Sequence, residues 1–136
     1  MILGIGIDIV EVKRVEDILR KWGAGFLKKV FLPEEIAYCR KKKFPAQHYA
    51  ARIAVKEAIF KAFGEGWTEK IGWKDVHVKR SRKGQPRVEL VGKGKKLAEE
   101  MKVESILVSL SHADDYSVAQ ALITTNSKLF FSKKKI

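Results

Sequence analysis

One cysteine, three histidines and the absence of any long apolar run set the first limits on this 136-residue chain. Cys39 alone cannot close an internal disulfide, which fits a reducing, cytoplasmic setting. Inside a short helical stretch it reads as a packed residue rather than a nucleophile. No Cys/His spacing of a zinc site is present, so His48 and His77 are expected as surface or core residues. No apolar stretch approaches the roughly 18 residues that a membrane span needs. The opening Met1-Ile2-Leu3-Gly4-Ile5-Gly6-Ile7-Asp8 lacks a basic flank and is broken by an acid, so it does not read as a signal peptide. There is no internal repeat, and low complexity is confined to the C-terminal end.

The chain does carry enough apolar residues for one real core, 46% of the total, and a marked excess of cations. Lys plus Arg number 28 against 16 Asp plus Glu, a formal net charge of +12. A field of that sign recruits nucleic acid, phosphorylated small molecules or an acidic protein. Lys128 and Lys133 to Lys135 belong to a basic C-terminal extension, residues 125–136, and the domain before it is basic without them.

Hydrophobic periodicity divides the chain into elements. Residues 2–9 read as a buried strand and residues 14–22 as a helix stopped by Gly23, with a short amphipathic piece at 26–31. Pro33 opens a second helix, with Glu34 and Glu35 favourable in its first turn, and Pro45 ends it. A long helix follows from about Ala46 to Phe63 and stops at Gly64. Strands are expected at 75–80 and 87–91 around a turn at Lys83 to Pro86, then a helix over 92–102 and strands at 105–111 and 116–123. This order predicts an α+β domain over residues 1–124, an antiparallel sheet packed against the long helix, rather than repeated βαβ units.

The long helix is chemically unusual. At about 100° per residue, Glu57 and Lys61 share one flank, Arg52 and Lys56 another, and Ala51, Ala54, Ala58 and Ala62 form a small-residue stripe open to close approach. A surface ion pair between Glu57 and Lys61, worth only about 0.3–0.5 kcal/mol, is the plainer explanation. The alternative is a hard-metal ligand. Mg²⁺ takes one or two carboxylates and completes its octahedron with water and phosphate. Asp8 would supply the second carboxylate. It shares a strand face with Gly4 and Gly6, whose missing side chains leave room for a group to approach the backbone. A dinucleotide-binding reading fails, because Ile9 stands where the third glycine belongs. A helix cap or turn is the plainer role for Asp8. Lys61 could neutralise charge on a phosphate or leaving group.

Ser109-Leu110-Ser111-His112 at a strand end suits phosphate or nucleotide contact better than a nucleophilic dyad, because strand neighbours point to opposite faces and no G-x-S-x-G elbow exists. Lys13, Arg14, Arg20 and Lys21 crowd the first helix, with Lys28 and Lys29 beyond it, either as a solvated face or as a docking surface. Trp67, Trp73, Phe130 and Phe131 near cations admit nucleic-acid stacking, although no RNA-binding pattern contains them.

Together these residues resemble the bacterial holo-acyl-carrier-protein synthases, small members of the 4'-phosphopantetheinyl transferases. Gly4-Ile5-Gly6-Ile7-Asp8-Ile9-Val10-Glu11 is similar to the family's N-terminal motif. Ala51-Arg52-Ile53-Ala54-Val55-Lys56-Glu57-Ala58 with Lys61-Ala62-Phe63-Gly64 is similar to its long-helix signature. Gly84-Gln85-Pro86 and Ser109-Leu110-Ser111-His112 match a later turn and strand in the same order. The resemblance implies transfer of 4'-phosphopantetheine from coenzyme A to a serine of apo acyl carrier protein, with release of adenosine 3',5'-bisphosphate. It implies Mg²⁺ on Asp8 and Glu57, and Lys61 at the transferring phosphate. It also implies coenzyme A contacts from Arg52, Lys61, Gly84, Pro86, Ser109, Ser111 and His112, and carrier docking through Arg14. The serine proton would pass to Glu57 or to a metal-bound water. A homotrimer with sites between subunits is the implied assembly, with no membrane or nucleic acid as partner. The rival, a small basic RNA-binding protein, leaves the two acids unexplained. A trimeric adaptor without catalysis leaves them equally idle.

Overall fold

The computed structural model describes residues 1–64, 69–81 and 83–126. Strand β1 (Ile2–Glu11) leads into helix α1 (Val12–Val30), which is followed by α2 (Pro33–Arg40) and the long α3 (Pro45–Phe63). A 3₁₀ turn at Trp73–Asp75 introduces the hairpin β2 (Val76–Arg80) and β3 (Pro86–Leu90). Helix α4 (Gly92–Glu100) and the antiparallel pair β4 (Val103–His112) and β5 (Tyr116–Thr125) complete the chain. The elements anticipated from periodicity are all present. Gly23, at φ 47°, breaks α1 in two where the sequence placed a stop, but helix resumes beyond it up to Val30.

Two antiparallel sheets result, a three-stranded one in the order β1-β5-β4 and the β2-β3 hairpin. Helix α3 lies across the inner face of the larger sheet. Ala54, Val55, Ala58, Ile59, Ala62 and Phe63 join Ala119, Ala121 and Ile123 of β5, together with Val76, Leu97 and Met101, in the main core. A second cluster, centred on Val15, Phe31, Cys39 and Tyr49, packs α1 and α2 against the first half of α3. Cys39 is fully buried there, as the bland reading of a lone cysteine expects. With so many neighbours, α3 is buried around most of its circumference, charged positions included.

The face shared by Gly4, Gly6 and Asp8 is real, but its room is not left for a ligand. A Cβ on Gly4 would collide with the Ala62 carbonyl, and one on Gly6 with the Ala58 carbonyl. The glycines admit the backbone of α3 itself, and the alanine stripe is its half of the seam. Thr125 also belongs to β5. Its amide donates to the Met1 carbonyl (2.8 Å) and its hydroxyl to the Lys102 carbonyl (2.6 Å), so the strand runs two residues past its expected end and the sheet one residue past the expected domain boundary.

Candidate active site

The Gly/Ala seam sets α3 so close to β1 that side chains at its rim must meet. Lys61 Nζ donates to Asp8 Oδ1 (2.8 Å) and to the Ile7 carbonyl (3.0 Å). The surface pair of Glu57 with Lys61 is therefore not what forms; Lys61 turns to the strand instead. Nor does Asp8 cap α1, whose N-cap is Glu11 with no side-chain bond. The Asp8 side chain is 10% exposed and its second oxygen, Oδ2, is buried without a hydrogen-bond partner.

Glu57 sits beside it. Burial raises its pKa from the ordinary carboxylate range to about 7, and the adjoining Asp8 carboxylate adds to the rise through hydrogen bonding and charge. Lys61 and Arg14 pull it down, but less. Asp8 in turn raises the Lys61 ammonium, chiefly through their hydrogen bond. Two facing carboxyls, one with an orphaned buried oxygen, form a negative focus that a hard cation would relieve. Among the described residues no group of three or more His, Cys, Asp or Glu encloses a metal site. Such a cation would thus rely on water and substrate oxygen for its other positions, which is how Mg²⁺ is commonly held. A cavity of about 370 Å³ opens next to Glu57, walled by Arg14, Ile18, Phe26, Ile53 and Tyr116.

The opposite flank of α3 carries a different cluster. Arg52 is buried, its Nε lacks a partner, and its guanidinium lies 4.3 Å from the centre of the Tyr38 ring. Lys42 and Arg80 approach the same ring at 4.6 and 5.8 Å. His48, edge-on to Tyr38 at 6.0 Å, has its pKa lowered, first by burial and then by Arg80, Lys42, Arg52 and His112. Arg52, Lys42 and Arg80 are thus brought into one electropositive cluster around Tyr38, separate from the acid pair, with His112 near enough to act on the charge of His48. Sequence reading missed Tyr38, Lys42, His48 and Arg80 as members. Nothing in their spacing signals a shared location, since they come from α2, its end, α3 and β2.

Gly84 occupies the β2-β3 turn at φ 81°, where its carbonyl accepts from Arg80 Nη1 (3.4 Å). Pro86 and Ser109 border one groove of about 1030 Å³ between the hairpin and β4. Ser109 and Ser111 share the exposed sheet face, as alternation predicts.

Lys56 is resolved as structural. It is wholly buried, and its ammonium donates to Glu35 Oε1 (2.9 Å) and to the Trp73 and Val76 carbonyls (2.8 Å each). Burial lowers its pKa, against the opposing pull of Glu35. Glu35, expected only as a favourable first-turn acid, is its buried partner. Trp73 packs edge-on against Phe60 at 5.1 Å rather than presenting a stacking platform. Trp67, Phe130 and Phe131 fall outside the described residues.

The family model described as the 4'-phosphopantetheinyl transferase superfamily matches residues 4–121. The chain belongs to this superfamily. The holo-[acyl-carrier-protein] synthase of Syntrophus aciditrophicus is 44% identical over 123 residues, covering 90% of this chain and 96% of that protein. The crystal structure of the Neisseria meningitidis holo-[acyl-carrier-protein] synthase superposes with a TM-score of 0.85 at 29% identity, over 92% of this chain and 100% of that one. The Helicobacter pylori synthase, solved in complex with coenzyme A, superposes at 0.76 and 29% identity, over 88% and 99%. For a transferase of this superfamily, the acid pair and the cationic cluster are chemically complementary halves, one suited to a metal-bridged phosphate and the other to a bare one.

Proposed function

We propose that this chain transfers 4'-phosphopantetheine from coenzyme A to a serine of apo acyl carrier protein, with its reacting centre at Asp8, Glu57 and Lys61. The observation that carries the assignment of the centre is the Asp8 carboxylate beside Glu57, with one oxygen buried and unpartnered and Lys61 bonded to the other. In the reaction the serine hydroxyl oxygen bonds to the phosphorus nearer pantetheine, the bond from that phosphorus to the bridging oxygen breaks, and adenosine 3',5'-bisphosphate leaves. Asp8 and Glu57 would hold Mg²⁺, which when bound draws negative charge from the pyrophosphate. Lys61, half-exposed at the rim, would exchange its bonds to Asp8 and the Ile7 carbonyl for the transferring phosphate and neutralise it. Glu57, or a water beside it, would accept the serine proton. Phosphoryl transfer asks mainly for such positioning and charge neutralisation.

Coenzyme A would lie between the acid pair and the Arg52 cluster, with its nucleotide toward Arg52 and His112, with Pro86 and Ser109 along the groove, and with Gly84 in the adjoining turn and Ser111 further along β4. Its phosphates supply the anion that the Arg52–Tyr38–Arg80 cluster lacks among the described ion pairs. The outer sheet face exposes Ile5, Ile7, Ile9 and Leu107, an apolar surface suited to contact with further copies of the chain. Ser109 and Ser111 lie on that same face, within reach of a neighbouring subunit in a homotrimer. The basic first helix, with Arg14 beside the Glu57 cavity, suits an acidic carrier. A buried free thiol suits the cytoplasm, and no described helix is long and apolar enough to cross a membrane. Residues 1–124 would act as one transferase domain, followed by the basic extension.

The test mixes the protein with coenzyme A, Mg²⁺ and an apo acyl carrier protein and follows the carrier's mass. Transfer is expected, lost with EDTA and in Asp8→Ala or Glu57→Ala. Full activity in both variants would overturn the metal assignment. Tight RNA binding without any transfer would favour the rival reading.

A further inference from the structure

Three cations collect around the ring of Tyr38. The Arg52 guanidinium lies 4.3 Å from its centre, the Lys42 ammonium 4.6 Å and the Arg80 guanidinium 5.8 Å, all within cation–π range. They arrive from α3, from the turn after α2 and from the end of β2, so no single element gathers them. Like charges this close repel one another, and Arg52, 4% exposed, has lost most of its hydration as well. Both effects call for a compensating partner.

A carboxylate is the usual partner, and none serves here. Among the described residues no ion pair includes Arg52, Lys42 or Arg80. Glu35 stands one turn before Tyr38 on α2, but its oxygens are taken. Oε1 accepts from Lys56 (2.9 Å) and from the Leu32 amide (2.8 Å), and Oε2 from the Val78 amide (3.0 Å). What faces the cations instead is the negative face of an aromatic ring. That ring is itself braced. His48, one turn before Arg52 on α3, meets it edge-on at 6.0 Å and 75°. The His48 pKa is lowered, first by burial and then by Arg80, Lys42 and Arg52, so the brace adds no charge at neutral pH.

The plainer role of Tyr38 is cover for the core cluster of Val15, Phe31, Cys39 and Tyr49, against which it packs. A leucine would cover that cluster as well, but it would offer the cations nothing. We infer that Tyr38 is a positioning residue, whose ring holds Arg52, Lys42 and Arg80 together so that a phosphate of coenzyme A meets them already assembled. Side chains ordered in advance bind an anion without first losing their freedom. The unpartnered Nε of buried Arg52 is the donor such an anion would find waiting. Tyr38 itself touches no reacting atom and acts only through the cations. The holding of the cluster stands on the geometry alone; the identity of the anion rests on the function proposed above.

Adenosine 3',5'-bisphosphate, titrated by calorimetry into the full chain with EDTA present, reads the cationic cluster apart from the acid pair. Tyr38→Leu should weaken its binding at least about fivefold, whereas Tyr38→Phe should stay within about twofold of wild type. A ring-fluorinated phenylalanine at position 38 keeps the shape of phenylalanine but drains charge from the ring face. It should bind the bisphosphate at least about threefold more weakly than Tyr38→Phe. Under turnover, Tyr38→Leu should raise KM for coenzyme A and leave kcat near wild type. Without ligand, nitrogen relaxation of the Arg52 and Arg80 Nε–H groups should show ordered side chains with tyrosine or phenylalanine and mobile ones with leucine. Equal affinity in the fluorinated and Tyr38→Phe proteins, or arginines as ordered in Tyr38→Leu as in wild type, would overturn the inference and leave Tyr38 as core cover. Arginines set loose by leucine in a protein whose wild type does not bind the bisphosphate would uphold the holding role and sink the nucleotide placement instead.

Discussion

Gly6 meets Ala58 so closely that the Ala58 carbonyl occupies the space of a side chain on residue 6. This contact draws α3 onto β1 and sets Asp8, two residues along the same strand face, against Glu57 and Lys61. The distance between Asp8 and Glu57 is thus governed by a residue with no chemistry of its own.

Gly6→Ala should push the helix from the strand. Overpacking of this kind costs about 1–3 kcal/mol, and more where backbone is the obstacle, as here. Chemical denaturation should show the loss of stability. Transfer activity should fall further than stability, because a displacement near 1 Å can cost about a hundredfold in rate. A variant as stable and active as wild type would refute the close-approach role.

Arg14 lies on α1 at the mouth of the cavity that reaches Glu57. Reversing its charge in Arg14→Glu should raise KM for the carrier at least about fivefold and leave KM for coenzyme A near its original value. The carrier effect should shrink as salt is added, since an exposed charge acts through a screened field. Equal effects on both substrates would count against docking at this helix.

Ile7 stands exposed on the outer sheet face, midway along the edge strand β1 between Ile5 and Ile9. Ile7→Lys places a charge in a surface proposed to be covered by another copy. Light scattering during size exclusion should find a trimer for the wild type and monomer for the variant, with a native circular dichroism spectrum in both. A monomeric wild type would refute the assembly.

Burial raises the Cys39 thiol from its ordinary 9.0 to about 11, with Glu35 adding to the rise and Arg52, Arg80 and Lys42 opposing it. The folded state therefore keeps a proton that the unfolded chain releases. The resulting stability is complete below pH 9 and is lost as pH rises toward 11, in total about 2–3 kcal/mol. Cys39→Ala should lose stability more gently over this window, as followed by denaturant midpoints at pH 8, 9, 10 and 11. Tyr49, whose pKa is also raised by burial, contributes to both proteins alike. Parallel profiles would refute the thiol's part.

Much of the architecture is local in origin, and this is why it could be read in advance. Strand and helix periods, the Gly23 signal, the Pro33 start and the Gly64 stop all act within a few residues, whereas Pro45, read as the end of α2, opens α3. Glu57, Lys61 and Asp8 were legible as chemistry because charges on a small-residue helix and beside a strand end are out of place there.

The sequence by itself determined the elements, the antiparallel α+β class and the residue types able to hold a phosphate. Only the tertiary structure decided which charges meet. It turned Lys61 from Glu57 to Asp8, filled the glycine gap with α3 and gave Lys56 to Glu35 across a separation of 21 residues. It also gathered Tyr38, Lys42, His48 and Arg80 around Arg52. Pairings of this kind depend on which faces are buried together, and burial raises the energy of an unpartnered charge until it finds the one partner in reach. That partner is set by packing in three dimensions, and spacing along the chain carries no record of it.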